Sequence, residues 1–325
     1  MERESLPRID ISPKLRNQLL PYCRLKAGEV WEDPLSGHRV SVLDATQEDQ
    51  VSLLMKGDVS VLGIHDPPYN ITVGNRSSLH LLKSSLKEYM TFSRAWVQVA
   101  LKFLGRDASF YVFLGADQDA GFQPLPDFMI LMRSFPELKS RSFISIRNQR
   151  GYGTQKNWMA IRQELLYYTK GNPPFHVQYT RTPKILRGYY KEVGGVRKEN
   201  LERGRSPYIR PGNVWVDIQQ VFYRLEENVS GAYAQKPLQA LCRIIEASSQ
   251  PGDLVTDFFA HSGTTLLACE ILGRRCYTLD IDPVFAELTL RRLEHYRRTG
   301  KKGWQTESPF PELGGDNFPP IPARR

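Results

Sequence analysis

Asp66-Pro67-Pro68-Tyr69 sets a carboxylate and a phenol on either side of two prolines. Neither proline has an N–H for a sheet ladder and each holds φ near −65°, so the acid and the aromatic project from a stiff turn. The preceding Val59 to His65, VSVLGIH, reads as a buried parallel strand. The turn therefore closes a strand at its carboxyl end, where open α/β sheets hold their ligands. A second constellation lies late in the chain. Leu254 to Phe259 (LVTDFF) reads as a strand running into the small-residue turn Ala260-His261-Ser262-Gly263-Thr264-Thr265, and Arg275 to Leu279 as the next strand, closed by Asp280-Ile281-Asp282-Pro283. Such a turn lets a ligand approach the backbone, and an acid ending the second strand can hold ribose hydroxyls. Neither GxGxxG nor GK[ST] is present, so an adenosine ligand without a pyrophosphate fits best.

The third constellation is electrostatic. Between Val177 and Val214, Arg181, Lys184, Arg187, Lys191, Arg197, Lys198, Arg203, Arg205 and Arg210 face only Glu192, Glu199 and Glu202. Tyr179, Tyr189, Tyr190 and Tyr208 are interleaved with them, a pattern suited to phosphates and stacked bases. The run carries most of the net charge of +9, which points to a polyanionic partner. Four cysteines without a CxxC pair indicate reduced thiols and no structural metal. The N-terminus lacks the apolar core of a signal peptide and no run reaches a membrane span, so a cytoplasmic protein with no membrane contact is expected.

The elements that must position these residues alternate between strand and helix. Val40 to Leu43 makes a short strand ending at Asp44, and Gln47 to Met55 a short helix. A long helix capped by Ser77 or Ser78 is expected to run to Leu104, with Leu79, Leu82, Leu86, Tyr89, Phe92, Trp96, Val99 and Phe103 on its core face. Strands follow at Ser109 to Leu114, Ser142 to Ile146 and Glu164 to Thr169, with a helix near Pro126 to Ser134. Gln235-Lys236-Pro237 opens a helix through Ser248, another runs from the small-residue turn to Leu272, and Val284 to Arg298 is the last. The expectation is an α/β fold with a doubly wound, mostly parallel sheet. Its parts are a lead-in (1–38), a first half holding Asp66 (39–176), a basic insertion (177–230), a second half holding the small-residue turn (231–300) and a tail (301–325).

Asp66 to Tyr69, Asp257 to Thr265 (DFFAHSGTT), Leu279 to Pro283 (LDIDP) and Gln235 to Pro237 (QKP), in this order, together resemble the S-adenosylmethionine-dependent DNA amino-methyltransferases, in the circularly permuted arrangement called β. Arg162-Gln163-Glu164 and Asn213-Val214-Trp215 are similar to two further elements of that group. The resemblance implies methyl transfer to the exocyclic amine of adenine (N6) or cytosine (N4) in duplex DNA, with the base flipped out of the helix. Asp in place of Ser at position 66 favours adenine. By the same resemblance Asp66, Pro67, Pro68 and Tyr69 are catalytic. Asp44, Asp66, Lys236, Asp257, Phe258, Phe259, His261, Ser262, Gly263, Thr264, Asp280 and Asp282 hold the cofactor, with Lys236 near its carboxylate. Arg187, Lys191, Arg197, Lys198, Arg203 and Arg205 hold DNA. A homodimer and a cognate restriction endonuclease are the further partners it raises. Two positions depart from the family pattern: His261 stands where the pattern Phe-x-Gly-x-Gly has glycine, and Ala232-Tyr233-Ala234 replaces His-Pro-Thr before Gln235. An RNA N6 methyltransferase, a catalytically silent relative and a small-molecule methyltransferase are the alternatives on the same scaffold.

Overall fold

Apolar strands alternating with amphipathic helices give a nine-stranded mixed sheet between two helical layers. The computed structural model describes residues 8–9, 12–69, 85–115, 124–152, 158–184, 190–199, 206–221, 224–305 and 307–313. The sheet contains β1 (Val30–Glu32), β2 (Arg39–Val42), β3 (Ser60–His65), β4 (Leu104–Leu114), β5 (Leu138–Tyr152), β6 (Ala160–Lys170), β9 (Val214–Trp215), β10 (Leu254–Asp257) and β11 (Arg275–Asp280). Their spatial order is β1-β2-β11-β10-β3-β4-β6-β5-β9. The central five, β2 to β4 in space, are parallel, and β6 returns antiparallel to both β4 and β5. This is the expected doubly wound sheet. The permuted order is visible at its centre, where early strand β3 lies beside late strand β10 through Val255↔Leu62 and Thr256↔Gly63.

Alternate strand residues feed two cores. On one face Leu62, Ile64, Tyr111 and Phe113 meet α5 (Leu238–Ser248), α6 (Thr264–Leu272) and α7 (Pro283–Thr299). On the other Phe110, Val112 and Leu114 meet α2 (Glu48–Met55), α3 (Leu86–Lys102) and α4 (Pro124–Met132). Both faces are covered, which is why these strands read as continuous apolar runs. A smaller cluster joins α1 (Pro13–Leu19) to α7 through Leu15, Leu19, Phe285 and Leu288, and takes in Trp304 and Phe310. Among the described residues no helix is long and apolar enough to cross a membrane.

Several element boundaries differ from expectation. Helix α3 begins at Leu86, not at Ser77 or Ser78: the Ser85 hydroxyl accepts from the Glu88 N–H at 3.2 Å and the Glu88 carboxylate accepts from the Ser85 N–H at 2.7 Å. This reciprocal cap satisfies two of the orphan donors of the first turn. Ser77, Ser78, Leu79 and Leu82 lie outside the described residues, while Tyr89, Trp96 and Val99 are buried as the periodicity required. Leu104 opens β4 instead of closing α3. Strand β10 stops at Asp257, since the Phe258 N–H turns inward to the Nδ1 of buried His65 at 3.2 Å. Strands β5 and β6 are each far longer than their apolar centres. The polar residues of their distal parts carry no alternation to read. Within the basic stretch, β7 (Tyr190–Val193) and β8 (Val196–Glu199) form a separate hairpin, but Val214–Trp215 joins the main sheet and Ile218 is buried in its core.

Gly63, in β3, is tightly packed just before the Asp66 turn. A Cβ there would come within 2.8 Å of His65 Nε2 and 3.0 Å of the Phe110 ring. Overpacking of this kind costs about 1–3 kcal/mol. Gly63→Ala is expected to lower the denaturation midpoint accordingly with no change in the denaturant slope, in an equilibrium urea titration.

Candidate active site

Strand β3 ends at His65, and the two prolines then hold Asp66 and Tyr69 at the carboxyl edge of the sheet. Pro67 is buried; Asp66, Pro68 and Tyr69 are half-buried. The Tyr69 hydroxyl donates to Asp66 Oδ1 at 2.5 Å and accepts from Gln163 Nε2 at 3.0 Å. Burial, followed by the charge of Asp66, raises the Tyr69 phenol well above its ordinary range, so it stays a donor. Its ring lies against Gly115, where a Cβ would come within 2.7 Å of it. The other carboxylate oxygen, Oδ2, is 2.5 Å from Lys236 Nζ. Lys236 is buried, 5.1 Å from the Tyr69 ring centroid and 5.5 Å from that of Phe113.

Lys236 comes from the other half of the chain, just before α5. Gln235 fixes the approach to that helix: its amide donates to the Glu227 carbonyl at 2.7 Å and accepts from the Val229 N–H at 3.1 Å. The Glu227 carboxylate accepts from Leu238 N–H at 2.7 Å, satisfying the first turn of α5. Ala234, in the segment that replaces His-Pro-Thr, has φ +58, and its carbonyl accepts from Lys236 Nζ at 3.3 Å.

The small-residue turn between β10 and α6 is held from three sides. Asp257 accepts from Thr265 Oγ1 at 2.5 Å and from the Phe259 N–H at 3.0 Å, and burial pushes its carboxyl up to about 8. Asp280 takes the His261 N–H on one oxygen and the Asp282 N–H on the other, each at 2.9 Å. From behind, the buried Arg292 of α7 donates to the Ser262 carbonyl at 2.8 Å, Thr264 Oγ1 at 2.9 Å and the Glu227 carbonyl at 3.1 Å. His261 occupies the left-handed region at φ +45, so the backbone keeps a conformation that suits glycine while carrying an imidazole. The ring packs on Phe285 with centroids 4.7 Å apart. Gly263, at φ +70, approaches Thr289 so closely that a Cβ would stand 3.0 Å away.

One pocket joins the two turns: Asp66, Lys236, Asp257, Phe259, His261, Ser262 and Thr264 line it together with Ile64, Phe113 and Leu241. Other expected cofactor residues stand elsewhere. Asp282 is fully buried, capping α7 through the Val284 N–H at 3.0 Å and pairing with Arg16 at 2.8 Å. Phe258 faces the core against His65. Asp44 binds its own Thr46 at 2.7 Å, beyond the pocket lining. Gly263 and Asp280 shape the turn without lining the pocket, and Lys236, expected at a cofactor carboxylate, is engaged by Asp66. Of the basic set, Arg197 is exposed on the β7–β8 hairpin and Lys191 and Lys198 occupy paired positions of it; Arg187, Arg203 and Arg205 lie outside the described residues. Gln163, Thr265 and Arg292 were not among the sequence candidates. Gln163 and Thr265 sit inside quoted motifs, whereas Arg292, in the charged run RRLEHYRR, carries no sequence signal of burial.

Comparison with known proteins agrees with this geometry. A family model described as DNA methylase, covering the N6 and N4 enzymes, matches residues 62–291. The Type II methyltransferase M.HpaI of Haemophilus parainfluenzae is 25% identical over 260 residues, covering 80% of this chain and 73% of its own. The DNA adenine methyltransferase YhdJ of Escherichia coli is 27% identical over 241 residues, covering 71% and 76% of the two chains. Among solved structures the M1.HpyAVI-SAM complex superposes with a TM-score of 0.52 at 14% identity, over 78% of this chain and 98% of that one, a likeness of fold. With the match spanning both turns and the strands between them, the chain belongs to the N6/N4 DNA methylase family, as an amino-methyltransferase of the Asp-Pro-Pro-Tyr type.

Proposed function

We propose that this chain transfers a methyl group from S-adenosylmethionine to the N6 amine of adenine in duplex DNA, with the target base flipped into the pocket. The observation that carries the reading is the meeting of Asp66, Lys236 and Tyr69 beside the turn of Asp257 and His261. Aspartate at position 66 and the likeness to a protein named a DNA adenine methyltransferase support adenine over cytosine. When bound, the cofactor supplies a methyl group on a sulfonium, already a strong electrophile. An exocyclic amine is a poor nucleophile because its lone pair is delocalised into the ring, so the protein must align it and polarise it. Each Asp66 oxygen spends one lone pair on Tyr69 or Lys236 and keeps another for an amine N–H. The Pro67 carbonyl is the second acceptor. Two such bonds draw the nitrogen toward a tetrahedral shape and aim its lone pair, and its surplus proton leaves to water.

The residues of the turn fit the cofactor. The Asp280 carboxylate, oriented at the end of β11 by two backbone N–H groups, is assigned to the ribose hydroxyls. The turn of small residues lets the ligand reach the backbone. Exposed Arg197 and its basic neighbours are assigned to phosphates, and a companion endonuclease reading the same site is the expected partner.

Labelled methyl transfer to mixed-sequence DNA, followed by nucleoside analysis, should yield N6-methyl-2′-deoxyadenosine. N4-methylcytosine would move the target, and no transfer would leave a silent relative. Asp66→Ala is expected to lose transfer by at least about 10²-fold while DNA binding persists, because the lost interaction belongs to the reacting amine. Near-normal turnover would sink the assignment.

Asp257 gives a pH signature. Its folded value of about 8 lies above the 3.8 of an ordinary solvated aspartate, so between those limits the native state keeps a proton that the unfolded chain releases. Its stabilising share is complete below the lower value and is lost as pH rises through the upper one. Stability relative to Asp257→Asn is therefore expected to fall from pH 4 to pH 8, read as denaturation midpoints of both proteins across that range.

If Arg197 neutralises a phosphate, Arg197→Ala reduces the magnitude of the salt slope of DNA binding by roughly one unit, equally for all sequences. A loss confined to the preferred site would make it a base reader.

A further inference from the structure

Helix α1 stands against the N-terminus of α7. The Ser12 hydroxyl caps it by accepting from the Leu15 N–H at 3.3 Å, and Leu15 and Leu19 are buried in one cluster with Val284, Phe285 and Leu288. Phe285 is also the ring on which His261 packs, so the lead-in and the small-residue turn share one apolar support. Next to Leu15, Arg16 Nε donates to Asp282 Oδ2 at 2.8 Å. The other oxygen of Asp282 accepts from the Val284 N–H at 3.0 Å, and the Asp282 N–H donates to Asp280 Oδ1 at 2.9 Å. Asp280 Oδ2 completes the chain by accepting from the His261 N–H. A line of bonds thus runs from the lead-in to the acid assigned to the ribose, and its far end is anchored in the turn.

Asp282 is fully buried, whereas the Arg16 side chain is 25% exposed. A carboxylate that far from water keeps its charge only with compensation, and here a guanidinium and the first turn of a helix supply it. The compensation matters beyond Asp282. Asp280 lies two residues away, and a second carboxylate without its counter-ion would disfavour the charge with which Asp280 accepts from hydroxyls. A displaced Asp282 would also withdraw the backbone N–H that aims Asp280 Oδ1. Resting on the assignment of Asp280 to the ribose, we infer that Arg16 is a positioning residue of the cofactor site: it acts through Asp282, holding the aspartate that holds Asp280. The lead-in thereby serves cofactor binding, although its residues belong to none of the quoted motifs.

The test is calorimetric titration of the full chain with S-adenosylmethionine. Arg16→Ala, at a partly exposed position on a helix anchored by Leu15 and Leu19, should weaken binding roughly tenfold, the scale of one charge-assisted hydrogen bond. Arg16→Lys, which keeps the charge, should stay within about threefold of the unmutated protein. The decisive variant combines Arg16→Ala with Asp282→Asn. Asparagine caps a helix as well as aspartate does but carries no charge, so the double variant should also return to within about threefold. Affinity for duplex DNA, measured without cofactor, should be the same in all of them. Unchanged cofactor binding by Arg16→Ala overturns the inference. So does a double variant as weak as Arg16→Ala, which would mean that Arg16 only docks α1, and so does a parallel loss of DNA affinity, the mark of general loosening. Asp280→Ala separates the two assignments. If it weakens cofactor binding while Arg16→Ala does not, the ribose reading stands and the role of Arg16 falls; if it binds as tightly as the unmutated protein, both fall.

Discussion

The pairing of Lys236 with Asp66 is the constraint on which the site depends. The two residues come from opposite halves of a permuted chain and meet at the centre of the sheet, where β3 and β10 lie side by side. Lys236 is buried and Asp66 half-buried, so removal of the carboxylate leaves an interior ammonium without its partner. The surroundings reflect that. Gln235 and Glu227 hold the backbone on one side of Lys236, Tyr69 and Gln163 hold the opposite oxygen of Asp66, and Arg292 ties Glu227 to the small-residue turn. The Asp66 turn and the small-residue turn are thus parts of one hydrogen-bonded frame.

That frame carries strain at two places where relatives of this type have other residues. His261 and Ala234 both adopt left-handed backbone, which for a residue with a Cβ costs about 1–2 kcal/mol each. Each is held by a local bond: the His261 N–H on Asp280, the Ala234 carbonyl on Lys236. The imidazole finds its place against Phe285, outside the path of the backbone. A glycine-type turn is in this way kept without the glycine.

What was legible in the sequence is what depends on local pattern. Prolines at 67 and 68, apolar runs such as Val59 to His65, and the order of the quoted motifs led to the sheet, its permutation and most of the pocket lining. Less legible was anything decided by long-range geometry. Asp282 looks like a ligand in LDIDP, yet it serves α7 and Arg16; Arg292 looks solvated in a charged helix, yet it is the clamp behind the turn. A helix start depends on one reciprocal cap, and Ser85 with Glu88 competes with two earlier serines that periodicity alone cannot rank. The ends of β5 and β6 leave the core, so no alternation announces them.

The adjacency of β3 and β10 also governs when the site comes into being. The contact Val255↔Leu62 closes a loop of about 190 residues, and such closures are slow because chain entropy is lost before the strands gain anything. During synthesis the first half can pair β3 with β4 but leaves the other edge of β3 open, a ladder of unpaired backbone groups. Only when the segment carrying Lys236 and β10 has emerged is that edge covered and Asp66 given its partner. A ribosome that stalls anywhere in the basic stretch therefore releases a fragment that has the Asp66 turn but neither its counter-ion nor a sealed sheet, a ready substrate for proteolysis.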